Sequence, residues 1–207
     1  FKKGYSKLKH FKPTIYELLL NDNNNNNDEK KYDILITAGN GESEFPYNKN
    51  SIEKANRILQ MLYGLLGDIR ENTNKGLMAI VEGYIDLNTI CLPAGHFRVE
   101  EGSEHYLFYE LEERLKRPFV HGYIVGLGIY VMSQLQGNSF QFIKNVMDEV
   151  TLPYHPKILD IGKQDLLNSI LNVRSYVESR PKLWYTVIND SHITKDWAEE
   201  TIKDLLF

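Results

Sequence analysis

Two histidines stand sixteen residues apart in the stretch EEGSEHYLFYELEERLKRPFVHGYIVGLG, residues 100–128, and each opens a strongly patterned segment. A metal ion needs ligands fixed on rigid elements, and His105 and His121, placed at the starts of two successive antiparallel helices, could converge across the short loop between them. Gly122, Gly126 and Gly128 strip side chains from one side of the second segment, so a neighbouring backbone or a ligand could approach it closely. The spacing is not that of a zinc finger. By spacing alone the structural reading is the stronger one: two helix-terminal imidazoles satisfied by backbone carbonyls. A third ligand could come from Asp86, His96, Glu101 or Glu104, each of which reads by itself as an ordinary polar side chain on a helix or turn.

The elements that would hold these residues are helical. Residues 51–69 place Ile58, Leu59, Leu62, Leu65 and Leu66 on one face, with Ser51 as the expected N-cap. Residues 74–92 repeat the pattern until Pro-Ala-Gly stops it, and residues 101–116 set Tyr106, Tyr109, Leu111 and Leu115 among charges before Pro118. The segment after His121 is apolar on most sides, which marks a central helix rather than a membrane span of about 20 residues. Residues 139–150, 163–178 and 194–206 complete a mainly α fold, a bundle of roughly seven helices. Ahead of it, residues 1–50 read as an irregular segment with an asparagine-rich insertion, NDNNNNNDEKK, and one strand candidate at 32–37, so that residues 51–207 form the helical domain.

Composition narrows the function classes. A chain of 207 residues with net charge −4 has no general field for nucleic acid, and the single Cys91 excludes a disulfide framework and points to a reducing, cytoplasmic compartment. Cys91 has no motif around it and reads as a small buried hydrophobe. Arg114, Lys116 and Arg117 read as a solvated helix end, His155 and His192 as exposed turn residues, and Asp68 as a helix-end cap. The start at Phe1, without Met or a signal peptide, suggests a fragment or processed product.

The run Arg-Val-Glu-Glu-Gly-Ser-Glu-His at 98–105, followed by His-Gly-Tyr-Ile-Val-Gly-Leu-Gly at 121–128, resembles the paired histidine motifs of the iron-containing alcohol dehydrogenase and dehydroquinate synthase superfamily. Within it the nearest likeness is to the glycerol-1-phosphate dehydrogenases, whose motifs read Arg-Pro-x-Ser-Gly-x-Glu-His and His-Gly-Glu-x-Val-Gly-x-Gly. The resemblance runs in order from about Ser51 to Leu206. It implies a helical C-terminal domain joined to a nucleotide-binding α/β domain, with the active site in the cleft between them. It also implies zinc or iron held by one acidic residue and two histidines, which would be His105 and His121. Arg98 and Ser103 would lie near substrate or its phosphate, as would Tyr109, which stands where relatives often carry another histidine. NAD or NADP would bind only to the upstream domain.

Three departures accompany the likeness: no Gly-x-Gly-Asp motif precedes Ser51, Tyr123 replaces the glutamate of His-Gly-Glu, and no glycine-rich nucleotide fingerprint occurs. The expectation is therefore the metal-binding half of a polyol-phosphate dehydrogenase, its nucleotide domain in cis or in trans, acting on a small phosphorylated polyol, with no nucleic acid or membrane partner and possibly as a homo-oligomer. The alternatives are a non-catalytic structural or interaction module of the same superfamily and a dehydroquinate synthase-like carbocycle-forming enzyme.

Overall fold

A computed structural model describes residues 49–97, 99–137, 140–183 and 186–207, with Lys49 and Ile52 described by backbone alone. The asparagine run, the strand candidate at 32–37 and Arg98 lie outside the described residues. Within them the fold is mainly helical and no strand occurs. The helices are α1 (Lys49–Tyr63), α2 (Leu66–Arg70), α3 (Asn74–Ala94), α4 (Ser103–Leu115), α5 (His121–Gln136), α6 (Phe140–Glu149), α7 (Pro156–Leu159), α8 (Lys163–Glu178), α9 (Val187–Asp190) and α10 (Lys195–Thr201).

The middle of the bundle is α4, packed on α5 on one side and on α8 on the other, the two most extensive helix pairs in the molecule. Apart from its leading histidine α5 contains no ionisable group but Tyr123 and Tyr130, and Ile124, Val125, Leu127 and Val131 are all fully buried. Leu107 and Leu111 of α4 are likewise at 0 % exposure, so truncating any of these side chains would cost about 2–5 kcal/mol. A second layer, α1, α2 and α3, joins the rest through contacts of α2 with α6. Gly76 makes that layer possible: a Cβ there would lie 2.4 Å from the Asp68 carbonyl. By length and composition α3, 21 residues long, could cross a bilayer, yet one of its faces, including Ala79, Ile80, Leu87 and Cys91, is buried in the fold.

The structure adjusts several sequence expectations. The first helical pattern breaks at Gly64 and Leu65, where the chain turns and restarts as α2, because no side chain at Gly64 supports the helix and Leu65 leaves helical dihedrals (φ −128°, ψ 15°). Helix α1 begins at Lys49, so Ser51 lies inside its first turn and is not its N-cap. Pro93 is carried within the last turn of α3, where the helix already faces solvent, and the stop is Gly95 in the left-handed conformation (φ 72°). The last pattern ends at Thr201 instead of 206. Asp68 accepts the Thr73 hydroxyl at 2.7 Å, and Thr73 in turn caps α3 through the Gly76 N–H.

The loop between α4 and α5 is held from below. Lys116 ends α4 in the left-handed conformation, and the Arg117 guanidinium donates to the carbonyls of Leu159 and Asp160 at 2.8 and 2.5 Å. Arg117 therefore satisfies the C-terminal carbonyls of α7 and is not the free helix end its sequence suggested. Arg114 is paired as well, with Glu110 one turn earlier.

Candidate metal centre

The α4–α5 pair brings the two histidines together. His105 sits in the first turn of α4 with 2 % exposure, and His121 is the first residue of α5, exposed at the surface of the bundle. Their Nε2 atoms are 3.4 Å apart and their ring centroids 5.1 Å apart. Phe108 stands edge-on to the His121 ring at 5.2 Å, and Tyr109, one turn after His105 on the same face, tilts against it at 5.9 Å. The pair therefore has an aromatic wall behind it and an open side at His121.

The other nitrogen of His105 is engaged from behind. Its Nδ1 lies 2.9 Å from Oε1 of Glu104, a residue that is itself only 2 % exposed, and the same oxygen accepts the Gly102 N–H at 2.8 Å. An oxygen that already accepts an amide proton makes Nδ1 the donor in this contact, so that in the neutral ring it is Nε2 that carries the lone pair and faces His121. Although His121 is exposed as a residue, its ring is partly buried against the bundle, which holds its pKa below the ordinary value, with Glu101 and Glu112 pulling the other way. Glu100 nearby is pushed up, first by burial and then by Glu101, with His105 opposing.

Two arrangements are open to facing ring nitrogens. A direct N–H···N bond has its optimum near ~3.0 Å, whereas two nitrogens each ~2.1 Å from a tetrahedral ion stand ~3.4 Å apart. The observed 3.4 Å lies within reach of a long N–H···N bond and also matches the spacing of two ligands of one ion. Glu104 at Nδ1 stands where an outer carboxyl group would orient a histidine. Among the described residues no group of three His, Cys, Asp or Glu side chains comes together in a way that could hold an ion. Of the four candidates for a third ligand, Glu104 is on the wrong side of the His105 ring, at Nδ1, and neither Asp86, His96 nor Glu101 forms such a group with the pair.

The remaining site candidates are placed as follows. Ser103 is fully buried as the first residue of α4, and Tyr109 is partly buried against the core; Arg98 is outside the described residues. Tyr123, in place of the motif's glutamate, also packs partly against the core. His155 is half-buried with its Nδ1 accepting the Leu206 N–H, and His192 is exposed. Cys91 is buried and its thiol is pushed up to about 12, chiefly by desolvation, which makes it inert as a nucleophile. Sequence reasoning missed the roles of Glu104 and Phe108. The signal for the first was available in the order Gly-Ser-Glu-His, where a glutamate in the opening turn can reach back to the amide two residues before it.

No protein-family model matches the chain. Comparison with known proteins finds a glycerol-1-phosphate dehydrogenase [NAD(P)+] of Methanosphaera stadtmanae, 26% identical over 154 residues, which are 74% of this chain and 43% of that protein. Proteins of the same name from Methanobrevibacter smithii and Methanothermobacter thermautotrophicus are each 23% identical, over 74% and 76% of the chain and 43% and 44% of their own lengths. The chain thus spans less than half the length of these relatives. Over that span it is similar to the C-terminal part of glycerol-1-phosphate dehydrogenases.

Proposed function

We propose that this chain is the two-histidine metal half of an NAD(P)-dependent polyol-phosphate dehydrogenase, the nucleotide-binding domain and the acidic ligand being supplied from outside the described residues, in cis or in trans. The observation that carries the reading is the 3.4 Å separation of the His105 and His121 Nε2 atoms, in a chain similar to glycerol-1-phosphate dehydrogenases. When bound, zinc or iron would polarise the carbinol or carbonyl oxygen of the substrate for hydride transfer to or from the nicotinamide. The chain's own residues do the rest. His105 presents Nε2 because its Nδ1 proton is held by Glu104; partial burial of the His121 ring favours its neutral form; Phe108 and Tyr109 keep water from the back of the pair. The open side at His121 is where a third ligand and the substrate would enter; the roles of Arg98, Ser103 and Tyr109 toward substrate and its phosphate rest on the family likeness alone, Ser103 being fully buried and Tyr109 lying behind the pair.

Metal analysis tests this reading. The chain alone is expected to hold zinc well below one equivalent and to show no oxidation of glycerol 1-phosphate with NAD or NADP. Adding the nucleotide-binding domain of a relative should raise metal to about one equivalent, and His105→Ala with His121→Ala should abolish that gain. A metal content that the double substitution leaves unchanged would sink the proposal. A second reading, a non-catalytic module of the same superfamily, is favoured by the lack of a three-ligand group among the described residues. It would be supported if no histidine-dependent metal appeared even with the complementing domain.

A further inference from the structure

We infer that Glu104 is a positioning residue for His105: it fixes the tautomer and orientation of the imidazole so that Nε2, and not Nδ1, faces His121. Three observations converge on this. Successive residues on a helix point about 100° apart and do not ordinarily touch. Glu104 and His105 are nonetheless joined at 2.9 Å, so the glutamate side chain is folded back over the first turn of α4. Both of its hydrogen bonds fall on Oε1, from Gly102 N–H and from His105 Nδ1, while Oε2 is buried with no hydrogen-bond partner. A glutamate serving only to cap the helix would need the Gly102 bond alone.

The third observation is how the backbone of Glu104 is held. Helix α5 crosses the start of α4 so closely that a Cβ on Gly128 would stand 2.4 Å from the Glu104 carbonyl oxygen. The helix that presents His121 therefore also clamps the peptide that carries Glu104. One crossing sets both ends of the relay from carboxyl group to His105 to His121. An outer carboxyl group that holds a liganding histidine commonly contributes 10–100-fold to metal affinity. The purpose assigned to the relay rests on the metal reading above, but the tautomer does not.

The experiment uses the full chain, labelled with nitrogen-15 and free of metal, at pH 7.5. Long-range proton–nitrogen spectra should show His105 as the Nδ1–H tautomer. Glu104→Gln, whose carbonyl can accept the same two bonds, should keep that tautomer, and Glu104→Ala should lose it in favour of Nε2–H. In titrations with zinc or cobalt the Ala variant should bind about 10–100-fold more weakly, with partial rescue in the Gln variant. An Nε2–H tautomer in the unsubstituted chain, or an unchanged Nδ1–H tautomer in a folded Ala variant, would overturn the inference. If the Ala variant does not fold, Nδ1–H in the unsubstituted chain and in the Gln variant sustains it, and Nε2–H in the former still overturns it. A chain that shows Nδ1–H yet takes up no histidine-dependent metal in any combination would uphold the positioning role and count against the metal reading alone.

Discussion

Helix α4 buries two glutamates, Glu104 and Glu110, each with 2 % exposure, and they are used in opposite ways. Glu110 is saturated: Oε1 accepts from Arg114 Nε at 3.0 Å and from Asn172 Nδ2 at 2.9 Å, and Oε2 also faces Arg114 Nε. Since Asn172 belongs to α8, this carboxyl group ties the two central helices together. Glu104 is half-used, with one oxygen shared by an amide and an imidazole and the other without a partner. Burying a polar group is costly unless its bonds are made. A saturated carboxyl group is thus explained by the fold, whereas a half-saturated one beside a histidine pair calls for a further role. The groove at Glu110, Arg114, Lys116, Asn172 and Tyr176, about 310 Å³, belongs to the structural end of this contrast, since Arg114 and Asn172 are already bonded to Glu110 within it.

The largest effect expected from breaking this contrast is at Glu110. Glu110→Ala leaves Arg114 and Asn172 without their acceptor and should cost about 2–3 kcal/mol of stability, read by urea denaturation. The His105 spectrum should not change, because six residues of helix place Glu110 about 9 Å along the axis from Glu104. At that distance Glu104→Ala and Glu110→Ala should be additive in stability to within about 0.5 kcal/mol. A strong non-additivity would mean that the two carboxyl groups belong to one network and that the contrast is false.

Next in size is Gly128→Ala. The added methyl group meets the Glu104 carbonyl, a backbone atom that cannot swing aside, so α4 and α5 must separate, at a cost of about 1–3 kcal/mol. Unlike Glu110→Ala, this change should also disturb the His105 tautomer and weaken metal uptake. Gly67→Ala is the matched control: nothing lies within 4 Å of its Cβ position, and a helical alanine should be neutral or stabilise by up to about 1 kcal/mol. Equal melting temperatures for the Gly128 variant and the unsubstituted chain would show that the crossing is looser than described.

These residues also show what a sequence can and cannot disclose. The helices were readable because apolar periodicity is local: the run from Tyr123 to Met132 has no polar side to expose, and it is the buried α5. The pairing of His105 with His121 was readable as a possibility because a tight loop after Leu115 forces neighbouring helices to run back on each other. Glu104 was not, because an acidic residue in a first helical turn suits the helix dipole whether it is solvated or buried. What decides is the crossing of α5, a tertiary fact announced in the sequence only by Gly128. Arg117 escaped for the same reason: its partners, Leu159 and Asp160, lie more than forty residues downstream. The break at Gly64 and Leu65 was hidden by an apolar pattern that continues in phase across it.

The smallest expected effect concerns a third histidine, the counterpart of the pair. His155 stacks on Tyr154 with ring centroids 4.6 Å apart and spends its Nδ1 lone pair on the Leu206 N–H at 3.2 Å, while Lys157 N–H donates to the Leu206 carbonyl at 2.9 Å. Here the imidazole clips the C-terminal segment to the start of α7. Burial holds its pKa below the ordinary value and Lys144 adds to this, with Asp148 opposing. The unfolded chain therefore takes up this proton near the ordinary pKa of about 6.5 while the folded chain resists it. The contribution to stability is complete above that pH, is lost as the pH falls through it, and levels off once the folded form is protonated as well. His155→Phe keeps the stack but removes both the acceptor and the titration. It should be less stable than the unsubstituted chain by under about 1 kcal/mol at pH 7.5, with the difference shrinking at pH 5.5. Urea denaturation of the two proteins at both pH values measures this, and a difference that does not narrow with acid would show that Nδ1 is not the acceptor for Leu206.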